Sequence, residues 1–260
     1  MVNLIVFSKN RPMQCQALLD SVALHTSIFD NIDVLYYSDE EYEIGYSLLK
    51  SRKSDVHFYR EVGNFKEVLL PLFKYDYTCF AADDDIVYGD FDKELFVAFL
   101  ERAVCFSLRL GENIDYCYSN DKPNKCKTKD VYDNKFVVWE WKKEELDFGY
   151  PLSVISHIFR TKEIEELSKL DEYQNPNVYE GVLQQHLNKI QPYMVSYKES
   201  KVFGVPANRV NVSAPNRNGL EYPYSVEELQ GMYIDGKIID VANMVYDIHA
   251  AQQEIKYVFA

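Results

Sequence analysis

Tyr77-Thr78-Cys79-Phe80-Ala81-Ala82 runs directly into Asp83-Asp84-Asp85, and Ile86-Val87-Tyr88 follows. The short apolar run reads as a buried strand, and the acids mark its carboxyl end. Three adjacent carboxylates are expensive to hold together, because like charges raise one another's pKa unless something neutralises them. A divalent cation does so. Mg2+ or Mn2+ takes oxygen ligands, keeps several waters, and uses one or two protein carboxylates beside substrate phosphates. If the strand continues through the triplet, Asp83 and Asp85 point to the same side and make the candidate metal site. The other reading of the same residues is an acidic turn with solvated side chains.

Upstream, the chain alternates short apolar runs with segments of helical period, the pattern of a parallel sheet with crossover helices. Leu4 to Phe7 predicts the first strand. Pro12 then opens a helix whose buried stripe is Cys15, Leu18, Leu19 and Val22. Strands are predicted over Ile32 to Tyr37 and Val56 to Val62, with a helix around Leu48 and Leu49 between them. From Phe65 to Tyr75, Pro71 predicts a short or kinked helix. In open parallel sheets ligands sit at the carboxyl ends of strands. Three such ends are polar here: Ser8 to Arg11, Ser38 to Asp39, and Asp83 to Asp85.

Downstream, Ile114 to Ser119 predicts another strand and Asp121 to Asn134 a loop or insertion. Order is expected again over Phe136 to Trp141 and Ser153 to Phe159, with a helix over Val178 to Ile190. Ser225-Val226-Glu227-Glu228 has capping-box form, and Val241, Val245 and Ile248 predict a terminal helix. The expected class is α/β, a mostly parallel central sheet flanked by helices. The expected division is one catalytic domain over 1–220, halved near 120, with a C-terminal helical extension over 221–260.

At 260 residues, 47% apolar and 15% aromatic, the chain can bury a full core. A formal charge of −13 argues against a nucleic acid partner, which would demand clustered Lys and Arg. The five cysteines are widely spaced without zinc-ligand partners, so they read as reduced thiols. The start of the chain turns polar too soon for a signal peptide, and no run approaches the roughly 20 apolar residues of a spanning helix. Cytoplasmic residence is the expectation, with peripheral membrane association only through an acceptor.

Two strand-end motifs together carry a family resemblance. Asp83-Asp84-Asp85 followed by Ile86-Val87-Tyr88 resembles the DxD signature of GT-A glycosyltransferases. Phe7-Ser8-Lys9-Asn10-Arg11-Pro12 resembles the nucleotide-binding opening of the same superfamily. The likeness covers about residues 1–120 and thins beyond them, where the tail looks like bacterial and phage relatives. It implies a GT-A-like fold and sugar transfer from a nucleotide-sugar, UDP-sugar favoured, to a glycan, lipid-linked or small acceptor with Mn2+ or Mg2+. By that resemblance Phe7, Ser8, Asn10 and Arg11 line the nucleotide and Asp39 holds the base. Asp83 and Asp84 contact the donor, and Asp85 takes the metal.

Lys66 falls where related enzymes place a donor-contacting cation; the other reading is a solvated helix lysine. Glu180, in Asn177-Val178-Tyr179-Glu180-Gly181, resembles the acid that inverting members present at a helix start as general base. A first-turn acid is also what a helix dipole favours without catalysis. His249 resembles the C-terminal histidine that completes the metal shell in several families, while its apolar neighbours allow a packing role. His157 and His186 have weaker cases. Trp139, Trp141, Phe148 and Tyr150 could form an acceptor platform or simply core. Pro206 to Asn211, with Asn216 and Arg217, could fold over donor phosphates as a lid. Two other functions stay open: nucleotidyl transfer to a sugar phosphate, which lacks its expected glycine-rich loop after the first strand, and a non-catalytic glycan- or partner-binding protein.

Overall fold

A computed structural model describes residues 1–91, 96–210 and 217–260. The first half follows the expected alternation: β1 (Val2–Lys9), α1 (Pro12–His25), β2 (Asn31–Tyr37), α2 (Glu43–Arg52), β3 (His57–Arg60), α3 (Phe65–Leu69), β4 (Tyr77–Ala82) and β5 (Asp85–Val87). Pro12 is at the start of α1, where its missing N–H is no loss. Pro71 ends α3, and the chain leaves through a single 3-10 turn over Leu70–Leu72.

Next come α4 (Phe96–Phe99), β6 (Ala103–Ser107), β7 (Tyr116–Cys117), β8 (Lys122–Pro123), β9 (Lys129–Val131) and β10 (Phe136–Glu140). They are followed by β11 (His157–Arg160), α5 (Thr161–Ser168), α6 (Pro176–Leu183), β12 (Tyr193–Tyr197), β13 (Val202–Gly204) and α7 (Val226–Ile234).

Nine strands form one sheet in the order β3-β2-β1-β4-β11-β6-β12-β10-β9. β3, β2, β1 and β4 are mutually parallel, and β6 pairs parallel with β12. β11 runs against both β4 and β6, and β10 runs against β12 and β9. Most strands therefore share one direction, and the class is the expected α/β. The chain leaves β1 toward β2 and β3 on one side, then returns to place β4 on the other, so the direction of winding switches beside β1. A crevice opens at the carboxyl ends of strands at such a point.

Several expectations are corrected. The fifth central strand is Ala103–Ser107, a fully buried run, whereas Ile114 to Ser119 yields only the two-residue β7. Ser153 to Ser156 is a turn, and only His157 onward joins the sheet. The helix expected over Val178 to Ile190 begins at Pro176 and breaks at His186, which has φ −105 and ψ 20. The terminal helix does not form. Val245 is 95% exposed, and residues from Ile248 onward run as an extended strap that bonds to Gly204 and to Ile238. An apolar period of three and four has no helix to build when the segment's backbone is already paired elsewhere.

Helix α1 was expected to be amphipathic, but Pro12 through Leu19 are all buried. It packs against α2, α7 and β5, and the Tyr233 hydroxyl of α7 donates to Gln16 Oε1 at 2.6 Å. Beneath the crevice an aromatic cluster ties sheet to helix: Phe7 stacks on Phe80 at 5.6 Å, and Phe80 meets Tyr179 of α6 edge-on at 5.9 Å. Each such pair contributes about 0.5–1.5 kcal/mol beyond burial and fixes where α6 stands on the sheet. Among the described residues, no helix is long and apolar enough to cross a membrane.

Candidate active site

A cleft of about 410 Å³ lies at the switch point. Phe7, Ser8, Lys9 and Arg11 line it from the end of β1, Tyr37 from β2, and Ala82, Asp83 and Asp84 from β4. Facing them are Asn175, Asn177 and Glu180 of the α6 region, Asn208, Arg209, Arg217 and Asn218 of a later segment, and Gln252 of the strap.

The two loops from β1 and β2 are zipped together. Asn10 adopts φ 56, a left-handed conformation that asparagine tolerates better than most residues. That turn lets its amide donate to Asp39 Oδ2 at 2.7 Å while its Oδ1 accepts from the Asp39 N–H at 2.9 Å. The Asn10 bond holds the Asp39 carboxyl below its ordinary range. Asn10 and Asp39 thus shape the rim and do not line the cleft.

The Asp83 carboxylate accepts from Ser8 Oγ at 3.0 Å, from the Lys9 N–H at 2.9 Å and from Arg11 Nη1 at 3.0 Å. Arg11 also donates to Asp84 Oδ2 at 2.9 Å and, through Nε, to Asn208 Oδ1 at 2.8 Å. Burial opposes the Arg11 charge, yet Asp84 and Asp83 outweigh it and hold the guanidinium above its ordinary pKa. Burial pushes the Asp83 carboxyl up to about 6 against the pull of Arg11. The acidic triplet is therefore neutralised in the first instance by a protein cation, which the sequence reading had assigned to the nucleotide.

Asp85 is 1% exposed. Its Oδ2 accepts from the Ala82 N–H at 3.1 Å and from Ser156 Oγ at 3.0 Å, whereas Oδ1 is buried with no hydrogen-bond partner among the described residues. Burial, followed by the Asp84 charge, pushes this carboxyl up to about 7. Gly204 makes room for it: a Cβ there would stand 3.2 Å from Asp85 Oδ1.

A divalent cation requires hard oxygen donors of this kind. Asp85 Oδ1, unpartnered but buried, and the cleft-lining Asp84, which also pairs with Arg11, are the oxygen donors nearest to such a set, while Asp83 is taken up by Ser8, Lys9 and Arg11. Among the described residues no three His, Cys, Asp or Glu side chains gather as a ligand group. The expected set of Asp83, Asp85 and His249 is not assembled. His249 is exposed on the strap, where its carbonyl accepts from the Asp115 and Tyr116 N–H groups and its ring lies beside Tyr116.

Lys66 is also turned away: its Nζ pairs with Glu172 Oε1 at 2.9 Å and caps the Asp171 carbonyl at 2.9 Å. Trp139 and Trp141 are core, their indole N–H groups spent on the Phe148 and Gln191 carbonyls, so no aromatic platform forms from them. His157 is buried, and burial lowers its pKa to about 3, so the ring is neutral. His186 pairs with Asp171. Asn211 and Asn216 of the expected lid lie outside the described residues.

Glu180 stands on α6, capped by Asn175, whose Oδ1 accepts from the Val178 N–H at 3.0 Å. The helix begins at Pro176, so Glu180 is beyond the first turn and the helix-dipole explanation loses its footing. Glu180 Oε1 accepts from Ser153 Oγ at 2.8 Å and from the Val154 N–H at 2.9 Å. Removal from water raises its pKa against the pull of those two bonds. A carboxyl with a raised pKa facing a cleft is suited to accepting a substrate proton. The sequence reading missed Ser153, Gln252, Asn218 and Arg109; a lone arginine in the apolar stretch Phe106-Ser107-Leu108-Arg109-Leu110 was the legible signal for the last.

No family model matches the chain, and no curated protein matches it. Among solved structures it is similar to S. aureus TarS 1–349, at 13% identity and a TM-score of 0.44 over 78% of this chain and 60% of that one. The TarS complex with UDP gives 13%, 0.46, 79% and 61%, and the complex with UDP-GlcNAc 13%, 0.41, 76% and 59%. The chain thus spans about three fifths of those structures, and values this low transfer no activity from one protein to the other.

Proposed function

We propose that this chain is a glycosyltransferase that takes a sugar from a nucleotide-sugar, with UDP-sugars favoured, and passes it to a hydroxyl of a glycan, lipid-linked or small acceptor. One observation carries the reading: one cleft at the switch point holds Asp83 and Asp84 of the acidic triplet on one wall and a hydrogen-bonded glutamate of raised pKa on the other.

The nucleotide would lie over Phe7, Ser8 and Tyr37, with its diphosphate toward Arg209 and Arg217. Glu180 removes the acceptor hydroxyl proton as the new C–O bond forms at the sugar's anomeric carbon. The bond from that carbon to the diphosphate breaks, and the leaving diphosphate keeps the electron pair. Arg209 and Arg217 line the cleft and would stabilise that charge, Arg217 while also paired with Asp121 at 3.1 Å and bonded to the Tyr118 carbonyl at 2.7 Å. Asp84 and Asp85 would hold a divalent cation, which when bound supplies Lewis-acid stabilisation of the same leaving group.

The test is calorimetric titration of UDP and GDP, each with and without Mn2+, on wild type and Glu180→Gln, followed by turnover with the donor so identified. The expected result is Mn2+-dependent binding of UDP by both proteins, and a turnover at least about 100-fold lower in Glu180→Gln. Absence of nucleotide binding would favour a non-catalytic protein, and full turnover in the variant would remove Glu180 as the base.

A further inference from the structure

Behind Glu180 lies a second layer of polar side chains. Arg109, which follows β6, is 7% exposed. Its Nη2 is bonded to Asp147 Oδ1, and Asp147 Oδ2 accepts from Asn124 Nδ2 at 2.8 Å. Its Nη1 donates to Ser153 Oγ at 3.4 Å, and its Nε is buried with no partner among the described residues. A buried guanidinium held at less than full capacity is costly for the fold, which points to a use beyond packing.

A serine hydroxyl has one proton and two acceptor lone pairs. Ser153 Oγ already accepts from Arg109 Nη1 at 3.4 Å and from the Ile155 N–H at 3.3 Å. Its proton is therefore left for Glu180 Oε1, 2.8 Å away. The Val154 N–H fills the other position on that oxygen at 2.9 Å. Oε1 is thus held by the protein, and Tyr150 also bonds to the Glu180 carboxyl. The same turn reaches the acidic triplet, since Ser156 Oγ donates to Asp85 Oδ2. Ser156 has φ 53, a conformation that costs a serine about 1 kcal/mol or more, so the turn is held by its surroundings.

We propose that Arg109 is a positioning residue for the reaction: by filling one acceptor site of Ser153 it compels that hydroxyl to donate to Glu180, fixing the base and favouring its ionised form. This rests on Glu180 being the base. The charged groups facing Glu180 are Arg109 and Asp147, with Tyr150 and Gln184 beside it. Arg109 favours the carboxylate and Asp147 opposes it.

The experiment is the pH profile of kcat, with donor KM, for wild type, Arg109→Gln, Arg109→Lys and Ser153→Ala, with Glu180→Gln as control. In Arg109→Gln the acidic limb is expected to move up by about one pH unit, because the cation that favoured the carboxylate is gone. Its plateau is expected to fall about tenfold with donor KM unchanged, and Arg109→Lys is expected to return the limb toward wild type. Should Arg109→Gln not fold, Ser153→Ala leaves the Arg109–Asp147 pair intact and carries the same expectation of a raised limb. A folded Arg109→Gln or Ser153→Ala whose limb stays at the wild-type pH overturns the proposal while a dead Glu180→Gln preserves the base. An active Glu180→Gln overturns both.

Discussion

At Asp85 the requirements of the site and of the fold oppose each other. One carboxylate oxygen is satisfied by Ala82 and Ser156, the other is buried and bare, and burial with the Asp84 charge pushes the pKa from 3.8 to about 7. The folded state therefore binds this proton more tightly than the unfolded chain does. Stability is greatest below the ordinary value, declines as pH rises between the two pKa values, and carries the whole penalty above about 7. At about 1.4 kcal/mol per unit the penalty amounts to a few kcal/mol. In buffer free of divalent cations, Asp85→Asn should melt above wild type at pH 8, with the gap closing toward pH 4. Equal melting temperatures at pH 8 would show that the carboxylate finds a partner. That three adjacent acids cap a strand was legible in the sequence. That Arg11 pairs with Asp83 and Asp84 while Asp85 turns into the protein was not, because side-chain direction at a turn depends on what packs against it.

At the scale of elements, helices α1, α2 and α7 meet at Gly45. A Cβ there would stand 2.5 Å from Pro12 Cγ and 2.5 Å from Gln230 Oε1. The proline ring cannot yield, so Gly45→Ala should destabilise by about 1–3 kcal/mol through overpacking, despite its better helix propensity. Gly181 in α6 is the counterpart: a Cβ there meets nothing within 4 Å, and Gly181→Ala should be neutral or stabilise by up to about 1 kcal/mol. Urea midpoints of the two variants compare these directly, and equal shifts would contradict the packing argument. The starts of α1 and α7 were legible because Pro12 and the Ser225 cap act locally; Ser225 Oγ accepts from the Glu228 N–H at 3.0 Å as the capping pattern predicts. The end of the Val178–Ile190 helix and the terminal helix were misread, since periodicity cannot report that His186 kinks or that the strap pairs with Gly204.

Across the whole molecule, Arg11 is the side chain that joins the two halves of the cleft. It binds Asp83 and Asp84, just past β4, and, 197 residues along the chain, Asn208. Arg11→Met should cost about 3–5 kcal/mol, because it leaves buried Asp83 without its counter-charge. It should also raise amide exchange in the segment around Asn208. Denaturant unfolding with hydrogen exchange measures both, and a loss below about 1 kcal/mol with unchanged exchange would mean that the pair is incidental to the fold. The sequence by itself determined β1 to β4, the helices between them and the polar character of three strand ends, because those signals are local runs and periods within a single element. Only the tertiary structure decided that β11 inserts antiparallel between β4 and β6, that the strap brings Gln252 and not His249 to the cleft, and that Arg109 reaches Glu180 through Ser153. Those contacts join residues tens to hundreds of positions apart, and their geometry is set by sheet order and packing, which leave no periodic mark on the chain.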